Sequence, residues 1–156
     1  MNKKIRKILL KKNKSKIVSL TAYSKNIAMI LDNYCDLILV GDSMANVLYG
    51  HKNTHNLSLE NVIQHALSVK LGVKKSTLIV DMPKGTYNTP QSAVKNAKLI
   101  VKKTACDAIK IESNKKNYKI INSLVKKNIS VMGHIGYTPQ FKKKFRLEGR
   151  NKKEIN

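Results

Sequence analysis

Apolar residues in this chain come in two rhythms: short unbroken runs, and longer stretches in which they recur every three or four positions. Ile17-Val18-Ser19-Leu20-Thr21-Ala22 is β-branched and apolar and reads as a strand, and from Ser24 a helical spacing runs through Ile27, Ala28, Ile30, Leu31 and Tyr34. Leu37 to Val40 is a continuous apolar run ending at Gly41-Asp42-Ser43, as expected of a parallel strand covered on both faces. A polar stretch, Gly50-His51-Lys52-Asn53-Thr54-His55, leads to an amphipathic helix over about Ser58 to Lys70. Thr77-Leu78-Ile79-Val80-Asp81 predicts the third strand and Met82-Pro83-Lys84-Gly85 a turn. Thr89-Pro90 supplies an N-cap and a helix-opening proline, and the helix that follows carries Ala93, Ala97 and Ile100. Ala108-Ile109-Lys110-Ile111-Glu112 predicts the fourth strand, Tyr118, Ile121, Leu124 and Val125 the fourth helix, and Ile129-Ser130-Val131-Met132-Gly133 the fifth strand.

Five strands separated by four helices, in units of about thirty residues, describe right-handed βαβ crossovers, so the class is α/β with a parallel sheet. Doubly wound sheets and (β/α)8 barrels are both built this way. No Gly-x-Gly-x-x-Gly follows the first strand and no Walker-type loop occurs, which excludes the common nucleotide-cradling turns. With 156 residues the chain holds one ordinary domain, whereas a closed barrel takes about 250. Residues 1–15 read as a basic, frayed N-terminal extension and 16–156 as the folded domain.

Charge changes this picture little. There are 31 Lys plus Arg against 9 Asp plus Glu, a formal net charge of +22, but 42% of residues are hydrophobic, which rules out disorder as the main state. The excess could steer the chain onto nucleic acid. Yet the only arginines are Arg6, Arg146 and Arg150, the lysines are spread over every segment, and aromatics at 5% form no stacking stripe. Solvated helix faces account for the lysines; a basic RNA-binding protein is the competing class, and its affinity would fall steeply with salt. No apolar stretch approaches the roughly 20 residues of a membrane span, so a soluble, cytoplasmic protein is expected. Cys35 and Cys106, with no partner at zinc or disulfide spacing, are expected to be reduced, buried thiols.

Three carboxylates carry the candidate chemistry. Asp42 follows the second strand, Asp81 ends the third and Glu112 ends the fourth. In a parallel α/β fold the carboxyl edge of the strands is the functional one, so the three should face one crevice. Hard anionic oxygens without a His or Cys cluster favour Mg2+. Lys110, two residues before Glu112, shares its strand face and would clamp an anionic substrate. His134 after the fifth strand should face the same crevice, whereas His51, His55 and His65 read as structural.

Leu20-Thr21-Ala22-Tyr23, Val40-Gly41-Asp42-Ser43, Gly50-His51 with Thr54, Asp81-Met82-Pro83, Lys110-Ile111-Glu112 and Gly133-His134-Ile135-Gly136-Tyr137-Thr138-Pro139-Gln140 occur in one order and spacing. In these motifs the chain, from about Lys16 to Arg150, resembles the ketopantoate (3-methyl-2-oxobutanoate) hydroxymethyltransferases of pantothenate biosynthesis. The resemblance implies a (β/α)8 TIM barrel of the phosphoenolpyruvate/pyruvate type, here its first five strands and four helices, assembled as a homo-oligomer, by family a decamer. It implies Mg2+ held by Asp42, Asp81 and Glu112, with 3-methyl-2-oxobutanoate contacting Asp42, Ser43, Asp81 and Lys110. The expected reaction is Mg2+-assisted enolate chemistry, in which the hydroxymethyl group of 5,10-methylenetetrahydrofolate passes to the 2-oxo acid and gives 2-dehydropantoate.

The chain departs from the family pattern at Ser24, Ala45, Lys84 and Ser113-Asn114, and Glu148-Gly149-Arg150 stands for the family's Gln-Gly-Arg. The family's general-base glutamate falls beyond Asn156, so no residue here is assigned a catalytic proton transfer. A truncated, inactive fragment of such an enzyme is therefore the alternative expectation. Five strands alone should also expose an edge and an apolar interior.

Overall fold

A computed structural model describes residues 2–114 and 117–141. Its five strands are β1 (Ser19–Thr21), β2 (Leu37–Val40), β3 (Thr77–Asp81), β4 (Ala108–Glu112) and β5 (Val131–His134). All neighbours pair parallel, in the order β1-β2-β3-β4-β5. A doubly wound sheet reverses its strand order at a switch point; this one never does, and sequential order throughout is the barrel's connectivity. The strands therefore form part of a (β/α)8 barrel, as expected.

The helices are α1 (Lys3–Leu10), α2 (Lys25–Leu31), α3 (Met44–Val47), α4 (Leu59–Gly72), α5 (Pro90–Thr104) and α6 (Tyr118–Lys126). Their starts follow local chemistry. Ser58 accepts a hydrogen bond from the Asn61 N–H, and Thr89 forms a reciprocal capping box with Ser92 ahead of Pro90. α3, a single turn directly after Gly41-Asp42-Ser43, has no counterpart in the sequence pattern, because four residues are too few to show a period.

Strand alternation divides the core. Ile38, Val40, Leu78, Val80, Ile109 and Ile111 face the helices in the main apolar cluster, while Leu37, Ile79 and Ala108 face the opposite, inner side. The N-terminal segment is not frayed: α1 seats Ile5 and Ile8 against that inner trio at the amino ends of the strands. Asn2 caps the helix and bonds Asp107, while Lys4 reaches the Ser76 carbonyl and Lys11 pairs with Asp36 at 2.5 Å. Two isoleucines one turn apart look like noise in a lysine-rich sequence; what they cover lies 29 to 103 residues further on.

β1 and β5 have no outer neighbour among the described residues, and Ile17, Val18 and Leu20 along β1 are exposed. Both cysteines are free; Cys106 is buried, and burial pushes its thiol up to about 11, but Cys35 is only partly covered, against expectation. No described helix is long and apolar enough to cross a membrane.

Where α4 ends against α2, Gly72 permits a close backbone approach. A Cβ there would lie 2.4 Å from the Lys25 carbonyl oxygen and 2.8 Å from the Met29 nitrogen. Neither atom can swing aside, so Gly72→Ala is expected to push the two helices apart and lower stability by about 1–3 kcal/mol, read from a urea titration.

Candidate active site

The carboxyl ends of β2, β3 and β4 deliver the acidic residues to one edge, and register decides which side chains meet. Asp81 and Lys110 are directly opposite across β3 and β4, and the Lys110 Nζ donates to Asp81 Oδ1 at 2.5 Å. Sequence spacing set Lys110 beside Glu112; pairing across strands gives it Asp81 instead. The second oxygen of Asp81, Oδ2, accepts the Asp42 backbone N–H at 3.0 Å, so the end of β3 holds the turn after β2. A Cβ on Gly41 would lie 2.9 Å from Ser43 Oγ and 3.7 Å from Asp81 Oδ2, so a side chain there would displace the Ser43 hydroxyl. The Ser43 hydroxyl is hydrogen-bonded at 2.8 Å to that of Tyr23.

Glu112 is joined to the other carboxylates through Gln140. The Gln140 N–H donates to both Glu112 oxygens, at 3.2 and 3.0 Å, and its side-chain amide donates to Asp42 Oδ2 at 2.8 Å. Asp42, Asp81 and Glu112 are all buried, yet among the described residues no three His, Cys, Asp or Glu side chains converge as a ready-made metal cluster. His134 is the cross-strand partner of Glu112, with its Nδ1 buried, unbonded and 4.0 Å from Glu112 Oε1.

Electrostatically the edge carries surplus negative charge. Burial raises Asp81, with Lys110 opposing and Asp42 adding to the rise. Burial also pushes Glu112 up to about 7; the Gln140 N–H and Lys110 pull it down, whereas Asp42 and Asp81 push it further up. His134 is lowered by burial and by the Lys110 ammonium, which keeps its imidazole neutral at pH 7. Three buried carboxylates beside one ammonium suit a hard divalent cation, and Asp42 and Asp81 present the oxygen donors such an ion takes. The donor chemistry therefore fits Mg2+.

Tyr23, Tyr87 and Gln140 are the site residues that chemistry read from sequence did not single out, although Tyr23 and Gln140 sit in the motifs themselves. The Tyr87 hydroxyl donates to Gln140 Oε1. The other three histidines, His65 on α4 and His51 and His55 in the segment before it, all make contacts within the fold. His65 links the Tyr23 carbonyl to the Tyr49 hydroxyl, His51 lies against the Tyr49 ring, and His55 bridges Lys84 to the Pro139 carbonyl. Glu148-Gly149-Arg150, like the rest of 142–156, lies outside the described residues.

Together, sequential parallel strands and carboxylates on their carboxyl ends define a partial (β/α)8 barrel with its polar edge where barrel enzymes carry theirs. Solved structures agree on the fold. A phosphonopyruvate hydrolase, in complex with oxalate and Mg2+, superposes with a TM-score of 0.68 at 12% identity over 85% of this chain and 52% of its own. A 2,3-dimethylmalate lyase, of the PEP mutase/isocitrate lyase superfamily, gives 0.61 at 14% identity over 85% and 54%. Sequence narrows this to a family: the ketopantoate hydroxymethyltransferase family model matches residues 2–156. The 3-methyl-2-oxobutanoate hydroxymethyltransferase of Pelagibacter ubique (strain HTCC1062) is 53% identical over 96% of this chain and 58% of its own length. That of Campylobacter fetus subsp. fetus (strain 82-40) is 45% identical over 94% and 57%. The chain belongs to the ketopantoate hydroxymethyltransferase family, and it spans a little over half the length of these relatives.

Proposed function

We propose that this chain carries the metal- and 2-oxo-acid-binding part of a transferase that moves a hydroxymethyl group from 5,10-methylenetetrahydrofolate to 3-methyl-2-oxobutanoate, giving 2-dehydropantoate. The observation that carries the reading is the Asp81–Lys110 pair, set beside Asp42 and Ser43 on adjoining strand ends in a chain of this family. Asp42 and Asp81, with Glu112 as the third carboxylate, would hold Mg2+. Bound there, the ion supplies Lewis acidity that draws electrons from the keto group and makes the neighbouring C–H acidic.

The chain's own groups do the rest of the binding. Lys110, whose side chain is largely buried, offers positive charge to the substrate carboxylate, an attraction that a low-dielectric surrounding strengthens. Ser43 adds a hydroxyl whose rotation is restrained by Tyr23. Burial, with the nearby Asp81 and Asp42 charges, raises Tyr23, against the pull of Ser43, so its phenol stays protonated. His134 brings a neutral ring to the same edge. A cytoplasmic homo-oligomer, by family a decamer, is part of the same proposal.

Calorimetric titration with 3-methyl-2-oxobutanoate tests the reading. Binding is expected with Mg2+ present and is expected to vanish with EDTA; binding indifferent to Mg2+, or none at all, would overturn it.

A further inference from the structure

Gln140 lies 98 residues from Asp42 in sequence and is only 3% exposed, yet every polar atom of its side chain and its backbone N–H are engaged at the strand-end site. Its Nε2 donates to Asp42 Oδ2 at 2.8 Å and to the Met82 carbonyl at 3.1 Å. Its Oε1 accepts from the Tyr87 hydroxyl, and its backbone N–H spans both oxygens of Glu112. One residue therefore holds two carboxylates that leave different strands.

The surroundings specify an amide. Two acceptors, a carbonyl and a carboxylate oxygen, face one end of the side chain, and a hydroxyl donor faces the other. Flipping the amide would set oxygen against oxygen at Met82 and Asp42, and a glutamate would do the same with charge added. The segment is itself tied down, since the preceding carbonyl, that of Pro139, bonds the His55 ring at 3.0 Å, and Thr138 is buried.

We propose that Gln140 is a positioning residue for cation binding: its amide sets the orientation of the Asp42 carboxylate, its N–H sets that of Glu112, and Tyr87 keeps the amide the right way round. The inference rests on the transferase reading of Asp42 and Glu112 as the carboxylates that serve the metal. It gives the Gln140 amide a part in affinity for the ion, since groups that orient metal-ligating carboxylates typically govern 10–100-fold in binding.

Mg2+ affinity, measured by calorimetry with and without 3-methyl-2-oxobutanoate, is compared among the unaltered chain, Gln140→Met, Tyr87→Phe, Asp81→Ala and Asp32→Asn, alongside each protein's thermal midpoint. Gln140→Met keeps the length and the backbone N–H but loses the amide, and should bind Mg2+ about 10–100-fold more weakly. Tyr87→Phe removes a single oxygen and should weaken binding in the same direction by a smaller factor. Asp32→Asn, at the other end of the strands, should lower the midpoint and leave the affinity of the folded protein unchanged.

Binding within twofold of the unaltered chain in both Gln140→Met and Tyr87→Phe would overturn the positioning role, and it would leave the transferase reading standing if Asp81→Ala abolishes binding. An equal loss in Asp32→Asn would also overturn it, by reducing the effect to stability. Should Gln140→Met fail to unfold cooperatively, Tyr87→Phe decides alone. An unaltered chain that binds no Mg2+ would sink both this inference and the reading beneath it.

Discussion

Asp81→Ala is expected to weaken Mg2+-dependent binding of 3-methyl-2-oxobutanoate by at least about 100-fold and to destabilise the fold by about 3–5 kcal/mol. Two separate losses combine in that substitution. The first is the carboxylate itself, one of the three proposed to hold the cation. The second is the partner of Lys110, whose ammonium would be left in a largely buried position with no opposite charge at 2.5 Å. Removing one member of a buried pair is costlier than removing both, because an uncompensated charge stays behind. Lys110→Met in the Asp81→Ala background should therefore recover part of the stability while recovering none of the binding. Guanidinium titration of the single and double variants, with calorimetry on each, separates the terms. Full recovery of binding in the double variant would show that Asp81 serves Lys110 alone.

Asp32→Ala is expected to cost about 3 kcal/mol without touching the strand-end site. Asp32 caps the end of α2, and its carboxylate accepts the backbone N–H groups of Lys74, Lys75 and Ser76 at 2.8 to 3.0 Å. Those three donors belong to the turn that feeds β3, so one side chain fastens α2 to the entry of the next strand. Burial alone would raise its pKa, but the hydrogen bonds from Ser76, Lys75 and Lys74 outweigh burial and hold it below the usual carboxylate range. With the folded pKa depressed, the stabilisation is complete above the unfolded value of about 3.9 and disappears as pH falls through the folded value. Asp32→Asn should remove this dependence, so the two proteins' stabilities should converge as acid is added. Parallel curves over that range would refute the account.

The local sequence carried much of this architecture, because burial on both faces leaves a continuous apolar run, and helix caps are chosen by the residue at the cap. Leu37–Val40, Thr77–Asp81 and Ala108–Glu112 begin and end where those runs do, and Thr89-Pro90 starts α5. The strand-end acids were legible for the same reason: a charge that closes an apolar run must lie at the edge of a parallel sheet. Four-residue α3 was not, being too short to show a period, and α1, although Ile5 and Ile8 share one face, was hidden by the lysines around them and by the distance in sequence of what they cover.

What the sequence by itself determined, then, is the alternation of strands and helices and the placing of Asp42, Asp81 and Glu112 at strand ends. Strand order, the choice of Asp81 rather than Glu112 as partner of Lys110, and the bridging of Asp42 and Glu112 by Gln140 were decided only in three dimensions. Periodicity records which side of an element is buried. It is silent on which distant element does the burying, because that depends on register between strands joined by a whole crossover helix.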